Sequence, residues 1–205
     1  MIDKICTFLT NKIRKEVPDI DDERAEVINF GLQIIVGEVP KTFIMLAVAY
    51  LLGVFWESLI VFIVLFPYRG ASGGFHLHSH LGCIISTCIM YSGVAFLSKY
   101  LVMTEMVKYI VIGATWAFGM IMIKLYAPAD TEDVPILQEK VRKKKRIVSY
   151  MALTAGLIAA VFIQDNLISN IFIFGNLVQS ITITKLAYRL TNNKYGYEVY
   201  GNASI

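Results

Sequence analysis

The chain has 205 residues, 56% of them hydrophobic and 17% charged, with a formal net charge of +3. Soluble domains run at about 45–50% apolar and about 25% charged, so this composition excludes an ordinary soluble domain and points to a membrane protein. So small a net charge gives no basis for a nucleic-acid partner.

A helical span needs roughly 20 apolar residues, so the length suits about five to seven of them. Residues 2–15 predict a short amphipathic helix. Ile2, Ile5, Cys6, Leu9 and Ile13 share one face, and Lys4, Lys12, Arg14 and Lys15 fall elsewhere. Such a segment lies in the membrane interface or packs on the protein as a solvated helix. It has neither the long apolar core nor the cleavage site of a signal peptide. After Pro18, an N-cap is expected at Asp21 or Asp22.

Val27 to Leu52 predicts one long tilted span, kinked rather than ended by Pro40. Glu38 and Lys41 lie near its middle and either pair or line a cavity. Trp56–Ser58 predicts a tight interfacial turn with Trp56 as its anchor. A short span, Leu59–Phe66, is expected to stop at Pro67. Apolar runs at 81–97, 106–125, 147–163 and 167–187 bring the expected total to six spans.

The expected fold is therefore all-α: one polytopic membrane domain of about six transmembrane helices with an N-terminal amphipathic helix. Residues 1–20 would be interfacial, 127–146 a basic cytoplasmic loop and 189–205 a cytoplasmic tail. Basic residues gather in the N-terminal segment, at Lys140–Arg146, and at Lys185, Arg189 and Lys194. The positive-inside rule puts all three in the cytoplasm, with both termini. The span count then brings Tyr68–His80 to the cytoplasmic face. Gly113, Gly119 and Gly156 are candidates for close helix packing.

The stretch "YRGASGGFHLHSHLGCIIS", residues 68–86, holds all three histidines, three glycines in its first half, an arginine and Cys83. Ionisable groups at membrane depth mark functional sites by default. Ser79 is a possible N-cap, which would place Cys83 in the first turns of a helix. There a thiol meets the positive end of the helix dipole, and Arg69 is near in sequence, a setting in which cysteines act as nucleophiles. On one continuous helix His76 and Cys83 would lie about 10 Å apart along the axis, whereas His80 is three residues away. Spacing alone favours His80. Two other readings stay open: His76, His78 and His80 as metal ligands with Cys83, or interfacial polar residues with no chemistry. The cysteines Cys6, Cys83 and Cys88 suit neither a disulfide framework nor a zinc finger.

The run R-G-A-S-G-G-F-H, followed seven positions after its histidine by Cys83, resembles the accessory gene regulator B family. These are multi-span cysteine peptidases of Gram-positive quorum sensing. The matching residues are Arg69, Gly73, Gly74, Phe75, His76, Cys83 and Ser86, and the size and basic loop agree. The resemblance implies Cys83 as nucleophile and His76, not His80, as base. It implies Arg69, Gly73, Gly74 and Ser86 in support, no cofactor and no metal. The implied substrate is a propeptide with an amphipathic leader on membrane lipid, a central Cys or Ser, and an acidic C-terminal tail. The enzyme removes the tail and closes the centre into a thiolactone or lactone. A homodimer is also implied. The basic run, at Lys143, Lys144 and Lys145 above all, is a candidate to recruit the tail or a topology signal. Tyr126 and Gln179 are further candidates to line a substrate cavity. A small peptide transporter or channel is the alternative function; it calls for polar residues spread through several spans, not gathered in one connection.

Overall fold

The computed structural model describes residues 2–17, 20–77, 79–132, 135–136 and 138–200. Among these the regular structure is helical, with one isolated backbone bridge between Gly73 and Ala129. In chain order the helices are α1 (Ile2–Glu16), α2 (Asp22–Leu51), α3 (Phe55–Ser72), α4 (His80–Tyr100), α5 (Glu105–Tyr126), α6 (Glu139–Phe162), α7 (Asn166–Thr182), α8 (Lys185–Leu190) and α9 (Gly196–Tyr200).

Helix α1 packs on α2, where Thr10 Oγ1 donates to Asn29 Oδ1 at 3.3 Å. Cys6 and Thr10 are buried, while Ile5, Phe8 and Ile13 stay exposed. Asp21 caps α2 as expected, its carboxylate accepting from Arg24 N at 2.8 Å. Helix α2 continues through Pro40. The side chain of Glu38 lies outside the described residues, and with it the expected pairing to Lys41.

Both boundaries of α3 differ from expectation. Trp56–Ser58 is not a turn but the start of α3, because the chain reverses earlier, at Leu52–Gly53. Gly53 takes φ +69° there, and Lys99 Nζ holds its carbonyl at 2.9 Å and Glu57 at 2.8 Å. Pro67 does not stop α3, which runs on to Ser72. The last turn is anchored by burial of Tyr68, Ala71 and Ser72. The Tyr68 hydroxyl shares a 2.9 Å hydrogen bond with Ser180, and Ser72 Oγ accepts from Gln179 at 2.8 Å. Those bonds offset the backbone donor that proline removes.

Among the described residues, three helices are long and apolar enough to cross a membrane. They are Leu81–Tyr100, Glu105–Tyr126 and Glu139–Phe162, with mean hydropathies of 1.8, 1.7 and 1.4. Helix α7 sits against α3, α4, α5 and α6 and, among the described residues, carries more buried polar side chains than any other helix. Each of these donates to a backbone carbonyl, as apolar surroundings favour. Ser169 donates to Ala160 O at 2.8 Å, and Asn170 Nδ2 to Leu101 O at 2.7 Å. Helices α5 and α6 come close to α7: a Cβ on Gly119 would meet Ser180 Oγ at 2.9 Å, and one on Gly156 would meet Asn176 Nδ2 at 2.8 Å. Gly113 has open space instead.

The apolar run 167–187 is split at Ile183, and Thr184 caps α8 by accepting from Ala187 N at 3.2 Å. Residues 139–146, expected in a loop, open α6. Their arginines turn back onto the loop after α5. Arg142 binds Asp130 at 2.8 Å and Arg146 Nε binds Ala127 O at 2.7 Å. The tail is not a free extension either. Tyr195 is buried and stacks with Tyr126, Tyr188 and Tyr197 at 5.6, 4.0 and 5.1 Å.

Candidate active site

The site is built where α3 ends. Gly73 closes the helix with φ +71° and ψ −147°, a conformation that a Cβ makes costly. Gly74 follows at φ +140°. The connection is then stitched on both sides. Ala129 N donates to Ser72 O at 2.7 Å, Gly74 N to Ala129 O at 2.9 Å, and Phe75 N to Thr182 O at 3.4 Å. A Cβ on Gly73 would strike the Ala129 carbonyl. One on Gly74 would strike the Arg69 guanidinium and come within 2.8 Å of Thr182 Oγ1.

Arg69, from the last turn of α3, braces this strip. Its Nη1 donates to Thr182 Oγ1 at 3.1 Å and Gly73 O at 3.4 Å, and its Nη2 to Phe75 O at 3.0 Å. Gln179, fully buried on α7, donates to the same Gly73 carbonyl at 2.8 Å. The carbonyl of His76, three residues on, accepts from Asn193 Nδ2 at 2.6 Å.

Ser79 restarts the helix. Its hydroxyl accepts from Gly82 N at 3.1 Å, and Cys83 N donates to Ser79 O at 2.9 Å. Cys83 therefore stands in the first turn of α4, a half-buried free thiol. His76, before the restart, and Cys83, after it, line one cavity of about 50 Å³ together with Arg69, Ser86 and Thr87. Residues 73–77 lie outside helical geometry, so the 10 Å axial separation expected of a continuous helix does not apply. His78 and the side chain of His80 lie outside the described residues.

A second cavity, of about 160 Å³, adjoins the first across His76. Its walls include Gly73, Gly74, Asp130, Thr131 and Lys145. The three candidate lysines, Lys143, Lys144 and Lys145, thus separate. Lys145 faces this cavity, Lys143 is exposed and pairs with Glu139 at 2.8 Å, and Lys144 is exposed. Of the other cavity candidates, Gln179 supports the strip and Tyr126 belongs to the tyrosine stack.

Sequence reasoning missed the clasp behind the site. Asp130 accepts from Arg142 Nη1 at 2.8 Å and Ile136 N at 2.9 Å. The Tyr188 hydroxyl donates to Ala129 O at 2.7 Å and Asp130 O at 3.2 Å. Burial raises the phenol pKa values of Tyr188 and Tyr195, and pushes that of Tyr197 up to about 12. The available signal was the tyrosine and asparagine density of "YRLTNNKYGYEVY", unusual for a solvated tail.

A cysteine, a histidine and an arginine lining one cavity are residue types that nucleophilic acyl transfer uses. The sequence model of the accessory gene regulator B family matches residues 6–183. The chain belongs to that family. A "putative AgrB-like protein" of Listeria innocua is 30% identical over 88% of this chain and 87% of its own length. A protein of the same description from Clostridium acetobutylicum is 26% identical over 95% of this chain and 91% of its own. No solved structure matches. Membership in the family supports a role in processing the peptide of an agr quorum-sensing system, and the three apolar helices agree with a membrane protein.

Proposed function

We propose that this AgrB-family protein is an integral-membrane cysteine endopeptidase that shortens a quorum-sensing propeptide at its C-terminus and cyclises the remainder. The observation that carries this reading is the shared cavity of Cys83 and His76. Cys83 Sγ attacks the carbonyl carbon that precedes the tail, and His76 accepts the thiol proton. The C–N bond breaks, His76 returns the proton to the leaving amine, and the acyl group stays on Cys83 as a thioester. The peptide's own thiol then attacks that carbonyl. Its proton passes through His76 to Cys83 Sγ, which leaves. A hydroxyl in its place gives a lactone. Arg69 sets a positive charge on the cavity wall beside the developing oxyanion. Exchange of one thioester for another is nearly balanced, so the departing tail and the removed ring draw the reaction forward, and water must be kept from the acyl-enzyme.

The six apolar segments cross the bilayer with both termini and the Cys83 cavity on the cytoplasmic side. This topology rests on the basic residues at the N-terminus, in α6 and in the tail. The exposed Ile5, Phe8 and Ile13 of α1 suit a helix lying on lipid. The acidic tail approaches Lys145, whose cavity adjoins His76, with Lys143 and Lys144 at the approach. The active form is a homodimer.

The test is incubation of the protein in liposomes with the propeptide of its own system, followed by mass spectrometry. Tail release and an acyl adduct on Cys83 are expected. Cys83→Ala and His76→Ala are expected to abolish release without changing membrane insertion. Neither cleavage nor adduct with that peptide would reject the peptidase reading and leave transport as the alternative.

A further inference from the structure

The family match stops at residue 183, yet residues 184–200 pack directly behind the site. Asn193 is the point of contact. It is 9% exposed, and its side-chain amide reaches His76 O at 2.6 Å, Thr191 O at 3.1 Å and Thr191 Oγ1 at 2.9 Å. It is itself fixed from both sides. Its backbone N–H donates to Tyr188 O at 2.8 Å, and Asn192 before it turns the chain with φ +54°. Two residues later, the Tyr195 hydroxyl donates to Ile183 O at 2.9 Å.

Residues 73–77 lie outside the helices, so their carbonyls set the shape of the connection. Arg69 and Gln179 take that of Gly73, Arg69 takes that of Phe75, and Asn193 takes that of His76. We propose that Asn193 is a positioning residue for His76: by holding the His76 carbonyl it fixes the peptide plane from which the imidazole reaches the Cys83 cavity. This rests on the reading that His76 acts on Cys83. The amide donates to the main-chain carbonyl, so it governs how often the imidazole is in place rather than how readily it takes a proton.

The experiment uses the full chain in liposomes. Alkylation of Cys83 by iodoacetamide is followed by mass spectrometry across pH, for wild type, His76→Ala, Asn193→Ala, Asn193→Leu and the double variant His76→Ala/Asn193→Ala. Asn193→Leu keeps the branched shape of the side chain, adds no charge and removes the amide donor. His76→Ala is expected to slow alkylation near neutral pH. Either Asn193 variant is expected to slow it roughly five- to tenfold, the range set by one lost hydrogen bond, with the inflection unmoved. In the His76→Ala background the Asn193 change is expected to add nothing. Tail release should lose kcat by a similar factor with KM unchanged, and exposed Lys194→Ala should behave as wild type.

Equal slowing by Asn193→Ala in both backgrounds would mean general loosening, and no slowing would mean no role; either overturns the inference. A shifted inflection also overturns it, since it would place the amide on the ring. If His76→Ala itself leaves Cys83 alkylation unchanged, the pairing of His76 with Cys83 falls first, and the two failures are told apart.

Discussion

Replacement of Gly73 by alanine puts the proposed mechanism under the hardest strain, because two separate costs meet at that residue. The backbone stands at φ +71° and ψ −147°, where a residue with a Cβ costs about 1–3 kcal/mol. The new Cβ would also run into the Ala129 carbonyl, so the strip must move off its neighbour. Moving it breaks Ala129 N to Ser72 O and Gly74 N to Ala129 O, at about 1 kcal/mol each. The sum is roughly 3–5 kcal/mol, less than the ~5–15 kcal/mol that holds a domain together. Gly73→Ala should therefore stay folded with the connection displaced, and tail release should fall by at least about tenfold. Gly70 is the matched control. It lies inside α3 with nothing within 4 Å of an added Cβ, so Gly70→Ala should keep full activity and gain about 0.5–1 kcal/mol. Both variants are assayed in liposomes for propeptide cleavage, with circular dichroism to confirm helix content. Wild-type cleavage by Gly73→Ala, or an equal loss in Gly70→Ala, would refute the argument.

Arg142→Ala leaves the Asp130 side chain, 1% exposed, without its cation, and should destabilise the protein by about 3–5 kcal/mol. Adding Asp130→Asn should recover part of that loss in thermal unfolding; a double variant no more stable than the single one contradicts it. The tyrosine stack makes an alkaline prediction. Burial raises these phenols in the folded state, Tyr197 to about 12, while free tyrosine titrates near 10. The folded state thus holds these protons more tightly. Its stabilisation is complete below about pH 10 and is lost as pH rises through about 12. Tyrosinate absorbance and tryptic cleavage after Arg189 or Lys194 should rise together in that window, and a tail that detaches at neutral pH would contradict it. Ser79→Ala should fray the first turn of α4 by about 1 kcal/mol. Faster proteolysis at residues 77–83 reports it, and unchanged protection there argues against the cap.

Local signals carried well from sequence to structure. Asp21 and Ser79 cap their helices because capping needs only a side chain and the amides three residues on. Cys83 in a first turn follows from the same rule. What escaped was set by distant partners. Pro67 read as a stop, but Ser180 and Gln179, more than 100 positions away, hold the turn that follows it. Lys140–Arg146 read as a loop because it is densely charged. The helix forms because Arg142 and Arg146 spend their charge on Asp130 and loop carbonyls. The same pairing leaves the lysines, not the arginines, free to face outward or toward the second cavity. Spacing alone favours His80 over His76, since periodicity presumes a continuous helix, and the chain leaves helical geometry at Gly73.

The bond from Asn193 to His76 spans 117 positions, and that from Tyr188 to Ala129 spans 59. During synthesis the thiol and the imidazole are therefore made long before the residues that hold the connection around them. A chain that has grown only to residue 180 has both chemical groups and lacks the bond to the His76 carbonyl. The last helices are what complete the connection.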